Sequence, residues 1–297
     1  MKPQFHHNAI ISFAMWFEWF ILNKGEAFSN RTSALYPQTD DTLDDNFLSY
    51  ASPFKQWVTD SSINNVNVPD IITNTDTSSD IQRGENGLIF DFHEGRILLP
   101  NIPDNEDLNL ECSFSLKDFN IYLTDQTEED IIVERKYDIN KRFNDNSTPG
   151  PVIPNDYLLP AIFISDNSTH NKPFAFGGQD ETCIEIRCVI LSQDLYHLDG
   201  ALSIFRDSQF TAFPYLEYSD HPLNEYGDLK DGLSITNPDG EGFSYPQLAS
   251  ERKTGSNFYV QEVVGSKLRE SVNSKTMEDL FVGFLDFNIT KVRMPRA

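Results

Sequence analysis

The clearest signal in the chain is a strict two-residue alternation. Leu108-Asn109-Leu110-Glu111-Cys112-Ser113-Phe114-Ser115-Leu116 sets five apolar residues between four polar ones. That period turns one face to a core and the other to water, so it predicts a half-buried strand. Thr182–Ser192 carries Ile184, Ile186, Cys188 and Ile190 on one face. Leu280–Arg293 does the same with Phe281, Gly283, Leu285, Phe287 and Ile289, and is long enough to cross a whole sheet. Such a long apolar strand invites aggregation at an open edge, so it and Leu108–Leu116 are expected at the centre of the β core. Leu88–Phe92 and Arg96–Leu99 flank His93-Glu94-Gly95, which predicts a hairpin with Gly95 at positive φ. Phe119–Thr124, Ile131–Tyr137, Tyr157–Ser165 and Phe258–Val264 read as further strands.

Two segments follow a helical period instead. Over residues 8–23, Ile10, Phe13, Phe17 and Phe20, with Trp16, share one face, and Met15, Trp19 and Leu22 lie opposite. A helix apolar all round must be covered all round. One side can meet its own domain, and the other needs a second layer or a neighbouring subunit. Phe13, Trp16, Phe17, Trp19 and Phe20 are therefore the candidate subunit-interface residues. The second helix starts at Ser192 or Asp194 as its cap and buries Leu195, Leu198, Leu202 and Phe205.

Between these elements the chain is loop-rich. PQTDDTLDDN at 37–46 is an acidic loop, and Asp60–Arg83 is a polar excursion with at most short strands near Val66–Val68 and Ile71–Ile72. Residues 214–256 are rich in Pro and Gly. The run 138–156 holds Pro149-Gly150-Pro151 and Pro154 and reads as a linker or long loop. The organisation expected is an N-terminal helix plus β lobe over 1–137, and a second β/α lobe over 157–297, unless the two form one continuous domain. The fold class expected is α+β and β-rich. Its core is an antiparallel sheet or sandwich, with an N-terminal apolar helix, one central helix and long surface loops.

Composition narrows the function. The 297 residues include 23 Phe and 46 acids against 23 bases, a net charge of −23 with a pI of about 4.4. Tight binding to nucleic-acid backbone or to an anionic membrane needs the opposite sign. Three cysteines, Cys112, Cys183 and Cys188, make no disulfide framework and read as reduced core residues from a cytoplasm. The apolar run Ala9–Leu22 is too short to span a bilayer and carries Glu18. It reads as a buried or subunit-contact helix rather than a signal or anchor.

Candidate chemistry is sparse. Phe176-Gly177-Gly178-Gln179 lacks the lysine and spacing of a phosphate loop. Asn237-Pro238-Asp239-Gly240-Glu241-Gly242 starts like a calcium loop, but Leu248 stands where a bidentate Glu belongs. His6-His7 point in different directions and make poor paired ligands. Asp40/Asp41, Asp44/Asp45 and Glu128/Glu129 are expected on a solvated acidic surface. His93-Glu94 and Asp220-His221 lie in turns, with no nucleophile elbow near either. No catalytic, cofactor-binding or metal residue is therefore assigned, and no cofactor is expected. One arrangement favours an enzyme instead: a pocket uniting two or more of His93, Glu94, Asp220 and His221.

Several blocks together carry a resemblance. They are His6–Asn30, Tyr50–Ser62 (YASPFKQWVTDSS), Gly87–Leu99 (GLIFDFHEGRILL), Ser115–Thr124, Lys172–Leu191, Leu198–Ser208, His221–Asp228 (HPLNEYGD) and Phe281–Arg296. In style and block order the chain resembles virion structural proteins of tailed bacteriophages, particularly contractile-tailed phages of aquatic hosts. The resemblance implies a non-enzymatic assembly protein of the virion, put together in the host cytoplasm. An acidic, β-rich protein of this size suits the neck, as a head–tail connector or tail terminator. Its partners would be copies of itself in a ring, expected to be a hexamer, and neighbouring virion proteins. The alternatives are another tail or baseplate part or, outside phages, an exported β-sandwich adhesin or carbohydrate-binding module.

The charge generates a test. The purified chain should leave a duplex DNA fragment unshifted at physiological salt. Micromolar affinity that falls steeply with added salt would show a concentrated basic face that the net charge hides.

Overall fold

In the computed structural model, the described residues are 5–38, 45–102, 108–134, 137–139, 157–175, 179–230, 242–252, 257–268, 272–274 and 277–293. The fold is β-rich, with 48% strand, two curled sheets and few helices. Helix α1 spans Phe5–Gly25, α2 Leu195–Arg206 and α3 Tyr245–Arg252. Most of the expected boundary, 140–156, lies outside the described residues.

The first sheet is antiparallel and uses β1 (Phe28–Gln38), β2 (Phe47–Ala51), β3 (Ile71–Asn74), β4 (Ser79–Gln82), β5 (Ile89–Asp91), β6 (Arg96–Pro100) and β7 (Leu110–Lys117). Their spatial order is β4-β3-β7-β1-β2-β6-β5. The alternating strand β7 is interior, between β3 and β1. Its Leu110, Cys112 and Phe114 are buried, while Glu111 and Ser113 face water. The β5–β6 hairpin forms as the sequence predicts, with Gly95 at φ +62°. A Cβ there would meet the Phe54 carbonyl oxygen at 2.1 Å, so only glycine fits.

Two residues, Asp118 and Phe119, carry the chain from β7 to β8 (Asn120–Leu123) and into the second sheet. That sheet adds β11 (Ala161–Ala175), β12 (Gln179–Ser192), β13 (Ala212–Pro214), β14 (Asn257–Lys267) and β16 (Met277–Arg293), in the order β13-β14-β16-β12-β11-β8. Strand β15 (Val272–Ser274) pairs with β16, and β9 (Tyr137–Ile139) with β10 (Tyr157–Leu159) forms a separate parallel pair. β16 is central, paired with β12 from Phe281 to Arg293 and with β14 on its other side. Its alternation splits two cores. Leu285, Phe287 and Ile289 join the main core with α1 and the first sheet, and Leu280 and Val282 join a smaller one with Phe163, Val189 and Leu191. Gly283 makes room for α2, since a Cβ there would lie 2.6 Å from Leu198 Cδ1. The sheet leaves two partial edges. Among the described residues β8 covers β11 only over Ala161–Ile164, and β13 covers β14 only over Asn257–Tyr259.

Helix α1 is covered by its own chain along its main aromatic face, while Ile11, Ala14, Met15 and Glu18 on the other side line a cleft. Phe17 stacks on Phe205 of α2 at 3.9 Å, Trp16 on Phe213 at 5.0 Å, and Phe13 meets Phe287 edge-on at 5.0 Å. The subunit-interface expectation is therefore corrected for Phe13, Trp16, Phe17 and Phe20, which are at most 7% exposed and spend their surface inside the chain. Trp19 is half-buried and packs on Tyr245 of α3 at 5.2 Å. The helix's buried polar groups find partners on the 215–218 segment. Leu216 N–H donates to Ser12 Oγ at 2.8 Å, and Asn8 Nδ2 donates to the Tyr215 hydroxyl at 2.7 Å.

Other departures have local causes. Ile131–Glu134 belongs to a π-helical turn, Asp130–Glu134, rather than a strand. Thr127 and Asp130 cap the approach, with Thr127 Oγ1 donating to Asp130 Oδ2 at 2.6 Å. β1 and the outer half of β11 are strands with too many polar residues to show a period. No strand forms at Val66–Val68. Among the described residues no helix is long and apolar enough to cross a membrane.

Phe287 is 2% exposed where both halves of the chain meet. Phe287→Ala should cost about 3–5 kcal/mol in chemical denaturation. Phe287→Asp should leave no soluble folded protein. Tyr196→Ala, at an 81% exposed position, should fall within about 0.5 kcal/mol of the parent. A folded, cooperative Phe287→Asp variant would contradict this packing.

Candidate functional site

A cleft of about 710 Å³ opens between α1, the β5–β6 turn and the loop 221–227. Three contacts build it. Phe92 N–H donates to the Gly227 carbonyl at 3.0 Å, which ties the loop to the hairpin. Gly227 sits at φ +79°, and a Cβ there would lie 2.2 Å from Asp91 Oδ1, so glycine is required for the approach. The Gln56 side chain then joins the two sheets. Its Nε2 donates to the Ile121 carbonyl at 2.8 Å, and its Oε1 accepts from Ile121 N–H at 2.6 Å.

This arrangement brings together three of the four residues singled out from the two turns. His93, Glu94 and His221 all line the cleft. The condition that favours an enzymatic site, two or more of the four in one pocket, is thus met in placement. Asp220 stands apart. It is buried, accepts from Glu217 N–H at 2.9 Å and holds Arg252 Nη2 at 2.5 Å, so it closes a 3-10 turn. His93 opens onto the cleft with its ring edge-on to Tyr122 at 6.4 Å. His221 Nδ1 lies 3.3 Å from the Leu223 N–H and 3.5 Å from the Leu223 carbonyl, accepting from the first or donating to the second according to its tautomer.

The charges of the cleft are neutralised within it. Lys55 pairs with Glu94 at 2.9 Å, Lys117 with Glu18 at 2.7 Å, and Arg96 with Asp91 at 2.9 Å. Lys55, Lys117, Arg96 and Asp91 are each at most 9% exposed. A buried charge survives only when paired and hydrogen-bonded, and these pairs satisfy that rule. Burial raises the Asp91 carboxyl above the usual carboxylate range, against the pull of Arg96. Burial also raises Asp60, although Ser62 and the Tyr245 N–H bond to it. Both histidines are held below their ordinary value, chiefly by burial, with Glu94 opposing for His93 and the Leu223 contact opposing for His221. In both, the surroundings favour the neutral ring over the charged one.

Few of these residues are marked out by the sequence. The histidines and Glu94 stood out as turn residues, but Lys55, Asp91, Arg96 and Lys117 read as strand or loop polars. Their one signal was a charge inside an apolar run, as in Phe90-Asp91-Phe92. The remaining candidates lie elsewhere. His6 Nε2 meets Asp166 Oδ2 at 2.8 Å near the start of α1. Cys112, Cys183 and Cys188 are free and buried, and burial pushes the Cys112 thiol up to about 12. Glu128 and Asp286 both hold Arg187. Residues 176–178, 231–241 and 39–44 lie outside the described residues, which removes the glycine turn, most of the calcium-like loop and the first acidic pairs from view. Among the described residues no group of three or more His, Cys, Asp and Glu side chains could hold a metal ion. No protein-family model matches the chain, and no curated protein matches it.

The histidine shifts fix a sign. A histidine whose folded value lies below its unfolded value near 6.5 binds fewer protons when folded. Stability is therefore lost as pH falls through about 6.5 towards the folded values. The two buried carboxyls act in the opposite sense, equally in parent and variant. Thermal midpoints at pH 7.5 and 5.5 should fall more for the parent than for the His93→Gln/His221→Gln double variant. Equal falls would mean that neither ring is held neutral by its surroundings.

Proposed function

We propose that the chain is a non-enzymatic virion structural protein of a contractile-tailed phage. Its place is the neck, as a ring-forming connector or tail terminator between head and tail. The virion half of this reading rests on the block resemblance and on a charge that lets DNA pass without sticking. The assembly half rests on the two partial edges of the second sheet.

Those edges lie on opposite sides of one rigid sheet. From Ser165 to Pro173, β11 has β12 on one side and no strand on the other among the described residues. From Glu262 to Lys267, β14 has β16 on one side and no strand on the other among the described residues, although Arg206 Nη2 of α2 donates to the Gly265 carbonyl at 2.8 Å. A head-to-tail ring needs two different surfaces that fit each other. Strand addition between open edges is one route to such a contact. Asp166, His170, Lys172 and Pro173 on one edge, and Glu262 and Lys267 on the other, are the residue types that keep an edge from pairing indiscriminately. This moves the ring contact from α1, whose apolar surface is spent internally, to the second sheet.

The non-enzymatic reading draws on the cleft's ion pairs. Glu94, the carboxylate beside His93, is held by Lys55, and Asp91 by Arg96. General acid–base work asks for a carboxylate free to exchange a proton with a substrate.

Native mass spectrometry of the purified chain should give a closed oligomer, six copies being the expected number. Antibody raised against it should label the head–tail junction of the encoding phage's particles in negative stain. A monomer at high concentration, or label confined to the capsid face or baseplate, would sink the neck assignment.

A further inference from the structure

We propose that the cleft between α1, the β5–β6 turn and the 221–227 loop is a binding site for a neutral saccharide of one or two rings. The inference stands apart from the neck reading and uses only the cleft. Its volume of about 710 Å³ lies within the roughly 300–1,000 Å³ of small-molecule sites.

Its chemistry selects against charged ligands. Each cation on the wall, Lys55, Arg96 and Lys117, already faces a carboxylate at 2.7–2.9 Å. An anion or a cation entering the cleft would have to break a buried pair to gain one. Glu18, the most exposed side chain among these pairs, presents a carboxylate that can accept from ligand hydroxyl groups. His221 adds a ring that can donate or accept according to its tautomer.

Aromatic faces supply the apolar half of the match. Trp19 is half-buried on the α1 side, and Tyr226 is 42% exposed on the opposite loop. A pyranose ring has a C–H face that packs on such a surface, with its hydroxyls at the rim.

The test uses the full chain titrated with glucose, galactose, N-acetylglucosamine, maltose and lactose. Binding is read from tryptophan emission and from ligand-observed NMR. At least one sugar should bind with a Kd of ~1 mM or tighter. Tyr226→Ala should weaken it about tenfold or more with at most a small fall in thermal midpoint, because Tyr226 is 42% exposed although its ring also meets Phe47 at 5.8 Å. Trp19→Ala should act in the same direction, and if that variant misfolds, Tyr226→Ala alone decides. Failure of all five sugars to bind overturns the proposal. So does sugar binding that is indifferent to Tyr226, or spermidine or sulfate binding at the cleft where no sugar does.

Discussion

Everything in this fold answers to one requirement, that helix α1 be covered on every side. Its run of Phe, Trp, Ile and Leu leaves no polar stripe to face water. The chain meets the requirement with distant segments. α2 and β16 cover Phe13 and Phe17, the 212–216 segment covers Trp16 and Ser12, and α3 packs on Trp19. Each tight aromatic pair adds about 0.5–1.5 kcal/mol beyond its buried area. The stacking also fixes orientation, so the two sheets are held at set positions around one rod. A subunit contact built on the same faces would have to compete with the protein's own core.

The cleft is a by-product of that wrapping. Two sheets that share one helix cannot close fully along its length, and the gap lies where Glu18 and Met15 face the β5–β6 turn. Buried lysines and an arginine there are tolerated because each has a carboxylate opposite. The glycines at 95 and 227 set the distances, since a side chain at the first would push the turn off the Phe54–Lys55 backbone and one at the second would push the loop off Asp91. The site is thus held by backbone proximity first and by ion pairs second.

What was legible in the sequence follows from period. β7, β12 and β16 each bury alternate residues on the main core, and their alternation shows in the bare chain. The β5–β6 turn was legible from Gly95, which only a positive-φ position explains. β1 and the outer half of β11 were not legible, because an exposed strand held by its neighbours' hydrogen bonds needs no apolar alternation. Ile131–Glu134 read as a strand because a short apolar run has no period of its own, and the Thr127–Asp130 cap decided for a turn. The candidate site was legible only in its histidines. The pairing of Lys55 with Glu94 and of Lys117 with Glu18 depends on tertiary distance, and no spacing along the chain encodes it. The helix's need for a cover was legible, but not its source, because a neighbouring subunit and a distant segment place the same demand on the residues.

The position of β16 bears on how the chain is made. The strand at the centre of the second sheet, whose Phe287 reaches α1, leaves the ribosome only after every strand from β1 to β15 has followed the helix it must cover. During synthesis the aromatic rod therefore waits through all of them without its principal partner. A nascent chain in that state exposes Phe13, Trp16 and Phe17 together, the type of surface that holding chaperones recognise. Truncation near residue 280 would leave that exposure permanent.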